Sequence, residues 1–228
     1  MVFTALKKAA CVEKDQSYML YNLTEELLSH IELPLGGFSK DEIRAFAADV
    51  GLSVSSKPDS QDICFIPDKD TPAYLTTQMA QMGVSLSAGN FIDQNGKVLG
   101  PHKGIWNYTL GQHKRLGIAL GSSRYVSAID PTENTVTLVE DEQLIFSQSA
   151  FAKDVNLIHP LEYNGSFRAA VKPRYGKREA EATIYPPENG DGLFRIEFDQ
   201  PQRALTPGQS LVFYKGDELI GGGICFLK

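Results

Sequence analysis

The sequence predicts a mainly β chain with an N-terminal helical segment. In the first third, apolar residues recur at three- and four-residue steps, the spacing of one helix face. From residue 84 onward, short β-branched and aromatic runs are separated by turn formers at close intervals. The first of these runs encloses Asn95-Gly96, the strongest short-range hairpin signal.

Taken in order, Gln16 to Ile31 carries Tyr18, Leu20, Tyr21, Leu23, Leu27, Leu28 and Ile31 as a helical stripe, which Pro34 and Gly36-Gly37 end. Ser39-Lys40-Asp41-Glu42 reads as a capping box. The serine oxygen can accept from the Glu42 N–H while the Glu42 carboxylate reaches back. The helix that follows, through Ile43, Phe46, Ala47 and Val50, stops at Gly51. Thr71 to Met82 predicts another short helix, ended by Gly83. Phe91 to Leu99 is the hairpin. Strands are then expected at 124–129, 135–139, 167–171, 180–185, 193–198 and 211–214. Asp130-Pro131, Asn189 to Gly192 and Thr206-Pro207-Gly208 supply turns between them, a spacing typical of small barrels or sandwiches.

With 228 residues, 42% hydrophobic, the chain can bury one large core or two to three small ones. No run of about 18 apolar residues exists to span a membrane, and the N-terminus lacks the basic-then-apolar layout of a secretory signal. Three widely spaced cysteines, Cys11, Cys64 and Cys225, argue against a disulfide framework and for a reducing, cytoplasmic location. The net charge of −6 is unevenly spread. Residues 1–68 hold six Lys/Arg against eleven Asp/Glu. Residues 101–129 hold no acid but carry His102, Lys103, His113, Lys114, Arg115 and Arg124. Residues 163–178 are also acid-free, with Arg168, Lys172, Arg174, Lys177 and Arg178. Two basic stretches on an acidic chain suit phosphate contact over a limited surface, or else two solvated strand faces.

The stretch SKPDSQDICFIPD, Ser56 to Asp68, places Cys64 where a polar, turn-forming run meets a short apolar one. Two roles remain open from these residues alone: a small buried hydrophobe or a functional thiol. Phosphate-cradling chemistry is absent from the sequence, which has neither Gly-x4-Gly-Lys-Ser/Thr nor Gly-x-Gly-x-x-Gly after a strand. Four scattered histidines and no Cys-x-x-Cys argue against zinc.

Six motifs then fall in order along the chain. They are Lys14-Asp15-Gln16-Ser17-Tyr18, Asp59 to Ile66, Tyr108-Thr109-Leu110-Gly111-Gln112, Val171-Lys172-Pro173-Arg174-Tyr175, Thr206 to Ser210, and Gly221-Gly222-Gly223. Together they resemble the tRNA-specific 2-thiouridylase (MnmA/TrmU) family over essentially the whole chain. The resemblance implies a tRNA-uridine 2-sulfurtransferase that thiolates C2 of wobble uridine 34 in tRNAs for Lys, Glu and Gln. It implies ATP, with Mg, for the full-length enzyme, and a persulfide donor such as a cysteine desulfurase or sulfur-relay protein. The family's Ser-Gly-Gly-x-Asp-Ser motif and first nucleophilic cysteine are not found here. The chain is therefore expected to be a C-terminal portion lacking the N-terminal PP-loop ATP-binding domain, with no cofactor of its own, no membrane partner and no activity alone.

By the same resemblance Cys64 carries the persulfide, and Lys14, Asp15, Gln16, Arg174, Tyr175 and Gln209 contact tRNA. These residue types suit the task. Arg174 can fork onto a phosphate, Tyr175 can stack on a base or sugar, Lys14 can meet backbone phosphate, and Gln209 can donate and accept. Asp15 could equally cap a helix. Cys11 and Cys225 match no catalytic position, and Cys225 reads as core. His113-Lys114-Arg115 departs from the family's more usual Arg/Lys-x-Gly run. The implied architecture is a helical segment at 1–70 left from the catalytic half, a small central β domain at 71–148, and a C-terminal β-barrel at 149–228 resembling translation-factor barrels. Two other functions compete: a non-catalytic RNA-binding β-barrel module with Cys64 in its core, and a thiol redox protein.

Overall fold

The computed structural model describes residues 4–58, 65–66, 70–83, 87–176, 178–188 and 190–227. The chain divides into two units, Met1–Lys57 with Ser147–Lys228, and Pro58–Phe146.

The first unit is built on a closed six-stranded barrel. Its strands are β6 (Phe146–Leu157), β7 (Phe167–Lys172), β8 (Ala180–Tyr185), β9 (Phe194–Arg203), β10 (Ser210–Lys215) and β11 (Glu218–Phe226). They pair in the order β11-β10-β7-β8-β9-β6, and a β11–β6 pairing closes the ring. Closure removes the exposed edges that an open sheet would present. A short β1 (Leu6–Lys7) adds to β11, with Leu6 opposite Leu219. Strand alternation sends Ala169 and Val171, Ala182 and Ile184, Ile196 and Phe198, and Leu211 and Phe213 into the barrel, where all are buried. Alanines on three of the facing strands keep so small a barrel fillable. Cys225 lies in this core, and burial pushes its thiol up to about 11.

The outer face of β10 is buried as well. Val212 and Tyr214 are 0% exposed and pack with Leu6, Tyr18, Tyr21, Leu28, Ile158 and Leu219. This second core holds the N-terminal segment on the barrel. One continuous helix over 16–31 does not form, which corrects the sequence-based expectation. Single 3-10 turns at Val12–Lys14 and Ser17–Leu20 are followed by the four-residue α1 (Glu25–Leu28). The reason is a competing acceptor demand. Asn156 Nδ2, on β6, donates to the carbonyls of Tyr21 (2.7 Å) and Leu23 (3.0 Å), while Thr24 Oγ1 accepts from the Leu27 N–H and restarts the helix. The expected capping box does form at the head of α2 (Lys40–Asp49). Ser39 Oγ accepts from the Glu42 N–H, Glu42 Oε2 accepts from the Ser39 N–H at 2.7 Å, and Gly51 ends the helix at φ +74°.

The second unit carries α3 (Thr71–Gln81) and a four-stranded sheet of β2 (Gly89–Ile92), β3 (Val98–His102), β4 (Tyr125–Asp130) and β5 (Thr135–Val139). The sheet order is β3-β2-β5-β4, with β2 and β5 parallel. The β2–β3 hairpin turns through residues 93–97, where Asp93 Oδ1 accepts from the N–H groups of Asn95 and Lys97 and Gly96 takes φ +82°. Phe91, Leu116, Val126, Val136 and Leu138 form the core. His102 belongs to that interior, not to the basic surface. It is 3% exposed, its Nδ1 accepts from the Gly104 N–H, and Nε2–H donates to the Asn134 carbonyl. Burial lowers its pKa, so it remains neutral.

Gly222 sets how closely the N-terminal segment approaches β11. A Cβ there would stand 2.8 Å from the Leu211 carbonyl oxygen and 2.8 Å from the Tyr21 ring. Gly222→Ala is expected to cost about 1–3 kcal/mol through overpacking, read as a lower urea midpoint with an unchanged slope.

Candidate nucleic-acid interface

The tRNA contacts expected from sequence lie on three segments of the first unit, and Tyr18 joins them. Its hydroxyl donates to the Ser210 carbonyl at 2.9 Å, next to Gln209. Its ring meets Tyr175 edge-on, with centroids 5.8 Å apart, and Lys172 Nζ lies 5.9 Å from the ring centre. Residues 14–18, 172–175 and 209–210 therefore converge, although nearly 160 residues separate the first two in sequence. Burial raises the Tyr18 pKa, which keeps the hydroxyl a donor.

The members differ in what they expose. Lys14 ends the first 3-10 turn and faces solvent, as does Gln16. Tyr175 is 54% exposed and presents an aromatic edge and face to solvent. Arg174 is half-buried, and its guanidinium donates to the Ala204 carbonyl, which fixes the side chain while leaving further N–H donors. Gln209 sits in a turn where Gly208 takes φ +85°. Its backbone is clamped, since the Gln209 N–H donates to the Thr206 carbonyl and its own carbonyl accepts from Cys225, while its side chain is exposed.

Asp15 is turned inward. It is 8% exposed, Oδ1 accepts from the N–H groups of Ala9 and Ser17, and Oδ2 accepts from the Ser17 hydroxyl at 2.8 Å. Ser17 Oγ is in turn 3.1 Å from the Tyr214 hydroxyl. Asp15 is not the N-cap of the following turn, a position Gln16 takes without a side-chain cap bond; its bonds to Ser17 instead organise the turn that presents Lys14 and Gln16. Tyr214 also stacks beneath Lys8 Nζ, 4.5 Å from the ring centre, and Lys8 pairs with Glu179 at 2.8 Å.

Cys64 lies outside the described residues, as do Asp59 and Asp62. Cys11 is partly exposed and opens the first 3-10 turn. Arg168, counted among the basic residues of 163–178, is committed to a bidentate pair with Asp199, both bonds 2.6 Å. Sequence reasoning missed Tyr18 and Lys172 as members of the cluster. Both stand inside the quoted motifs, but a tyrosine on an apolar stripe looks like simple core. Among the described residues, no group of three or more His, Cys, Asp or Glu could hold a metal, and no helix is long and apolar enough to cross a membrane.

Comparison with known proteins gives three successive family matches. The "tRNA methyl transferase HUP domain" model matches residues 3–68, the "tRNA methyl transferase PRC-barrel domain" model residues 79–140, and the "Aminomethyltransferase beta-barrel domain" model residues 147–225. The chain is 48% identical over 219 residues to a tRNA-specific 2-thiouridylase MnmA of Acetivibrio thermocellus, covering 96% of this chain and 59% of the relative. It is 47% identical to that of Clostridium perfringens over 92% of this chain and 57% of the relative, and 43% identical to that of Clostridioides difficile over 96% and 59%. The chain thus spans less than two thirds of the length of these relatives. The first match corrects the expectation that the N-terminal domain is lacking, because residues 3–68 represent the HUP domain here. That expectation judged the domain by its phosphate-binding motif and first cysteine, whereas the match runs over residues 3–68.

Burial pushes the Tyr214 hydroxyl up from 10.0 to about 12. The neutral phenol is the form the fold prefers, so its stabilisation is complete below about pH 10 and is lost as pH rises towards 12. Alkaline unfolding followed by circular dichroism should accordingly be less steep over that window in Tyr214→Phe than in the unaltered chain.

Proposed function

The chain belongs to the tRNA-specific 2-thiouridylase family, and on that premise we propose that its first unit is a tRNA-binding surface of a uridine 2-sulfurtransferase. The observation that carries this reading is the convergence of three motif segments on Tyr18. It brings Tyr18 against Tyr175, Lys172 and the Ser210 backbone, and so sets the segments that carry Lys14, Gln16, Arg174 and Gln209 beside one another. That combination serves phosphate contact and stacking together. Arg174 meets a phosphate with the donors that Ala204 leaves unused, Tyr175 stacks on a base or sugar, and Lys14, Gln16 and Gln209 hold the backbone around them. Asp15 acts at one remove by fixing the turn.

In the same reading Cys64 carries a sulfane sulfur as its persulfide, supplied by a cysteine desulfurase or sulfur-relay protein. The terminal sulfur takes the place of O2 at C2 of the wobble uridine in tRNAs for Lys, Glu and Gln, the oxygen leaving with its activating group. A second thiol attacks the Cys64 sulfur to form a disulfide, which supplies the two electrons the transferred sulfur gains. ATP with Mg activates the uridine in the full-length enzyme. The described residues do not fit that group, since they offer neither a glycine-rich phosphate cradle nor a carboxylate cluster, and no step here is routed through it. A binding module without chemistry is the second reading. It is favoured by the absence of a chemical task among the described site residues, of which Asp15 fixes the turn and the others suit binding.

Two measurements test these assignments. Titration of tRNA across a salt series should show affinity falling steeply with salt, and Arg174→Ala should weaken binding and flatten the slope by about one phosphate contact. Binding that ignores both salt and the substitution would remove the platform assignment. Cys64→Ser, placed in the full-length enzyme, should abolish 2-thiouridine formation, measured by nucleoside mass spectrometry, with tRNA binding nearly intact. Retained thiolation would remove Cys64 from the chemistry and leave the binding module.

A further inference from the structure

The loop between the Tyr108–Gln112 motif and β4 in the second unit is pinned at alternate residues. Leu116 is 8% exposed, and Ile118 and Leu120 pack half-buried against the same core. The Leu116 carbonyl accepts from the Tyr108 hydroxyl, and Gln112 closes the base of the loop with bonds to the Thr109 N–H and the Lys114 carbonyl. With Leu116, Ile118 and Leu120 held inward, His113, Lys114, Arg115, Gly117, Ala119 and Gly121 are exposed. The loop encloses an open groove of roughly 630 Å³ lined by His113, Arg115, Gly117, Gly121, Ser122 and Arg124 among others.

The lining has the character of an anion site. No acid occurs from residue 101 to 129. Gly117 and Gly121 take φ of +77° and +73°, and a Cβ at either would meet nothing within 4 Å, so backbone is open to close approach there. Arg115 itself stands at φ +58°, a conformation that non-glycine residues hold only where the surroundings enforce it. Arg124 also lines the groove, with 17% of its side chain exposed. One carboxylate borders the groove: Glu140, which accepts from Arg124 Nη2 and from Ser122 Oγ at 3.2 Å. It orients Arg124 and offsets part of its charge, leaving the exposed Arg115 as the cation of the rim.

We propose that this groove is a second RNA contact, taking phosphodiester backbone between the Arg115 side chain and the glycine-lined wall. The proposal rests on the reading of the protein as a tRNA-binding enzyme, but its residues are separate from the Tyr18 cluster. The shape favours backbone over a folded protein partner. The groove is open, Arg115 stands on its rim, and two of its wall positions have no side chain.

The test is tRNA titration across a salt series with Arg115→Asn, Arg115→Lys and Gly121→Asp. Asn and Asp both tolerate the left-handed backbone at these positions, and thermal melting checks that the fold is kept. Arg115→Asn should weaken binding and reduce the slope of log affinity against log salt by about one contact, while Arg115→Lys should retain it. Gly121→Asp, which sets a carboxylate in the groove, should weaken binding further. An unchanged slope in Arg115→Asn, alongside weakening by Arg174→Ala, would overturn the groove and leave the Tyr18 surface standing. Equal loss in Arg115→Asn and Arg115→Lys would also overturn it, since charge would then not be the cause. Absence of tRNA binding by the unaltered chain at low salt would overturn both.

Discussion

Burial of both faces of β10 is the constraint on which the first unit depends. Leu211 and Phe213 point into the barrel, Val212 and Tyr214 point out, and all four are 0% exposed. A barrel strand with a solvated outer face would alternate apolar and polar residues. This one does not, so something must cover its outer side. The cover is the N-terminal segment, whose Tyr18, Tyr21 and Leu28 are each about 5% exposed or less. At roughly 1.5–3 kcal/mol for each large apolar side chain removed from water, this contact is strong enough to hold an otherwise poorly helical segment in place.

The function proposed for this unit follows from how that cover is fastened. Tyrosine is used where leucine would pack as well, because its hydroxyl can reach a polar partner at the edge of the core. Tyr18 reaches the Ser210 carbonyl, Tyr21 accepts from Ser210 Oγ, and Tyr214 meets Ser17. Each bond ties the turn bearing Lys14 and Gln16 to a particular strand end, and Asp15 locks the same turn from inside. Binding groups carried on irregular backbone are thereby held by strands, which limits the ordering cost when a ligand arrives.

Legibility in the sequence followed the locality of each cause. The Ser39–Glu42 capping box, the Asn95-Gly96 turn and most of the short strands arise from neighbouring residues, and the structure has them where the pattern put them. The helix over 16–31 failed because the competing donor, Asn156, comes from a strand more than a hundred residues away. Strand β11 was hidden by Gly221-Gly222-Gly223, which reads as a loop. Those positions lack side chains because Asn156, Tyr21 and Lys153 crowd against them from neighbouring segments. Strand β6 was hidden by Ser, Gln and Asp on its solvent side, with a bulge opposite β11 breaking the alternation near Asp154, whose φ is +52°. The site was legible as motifs, but the convergence on Tyr18 was not, since nothing in a local pattern tells a tyrosine that joins three segments from one that fills a core.

Charge shows the same limit and sharpens what the protein can offer a polyanion. A count along the sequence credits residues 101–129 and 163–178 with every lysine, arginine and histidine they contain. Folding divides that count. His102 becomes a neutral core residue, Arg168 is neutralised by Asp199, and Arg124 shares Glu140 with Ser122. Among the described residues of these stretches, Lys103, His113, Lys114 and Arg115 are exposed in one unit and Arg178 in the other, where Arg174 and Lys172 are half-buried beside an exposed tyrosine. A chain of net charge −6 cannot provide the diffuse attraction of a basic protein. On the proposed reading, its local cations would favour RNA only where phosphates fall on fixed positions, with selectivity coming from geometry and the acidic remainder of the surface repelling polyanions that do not match it.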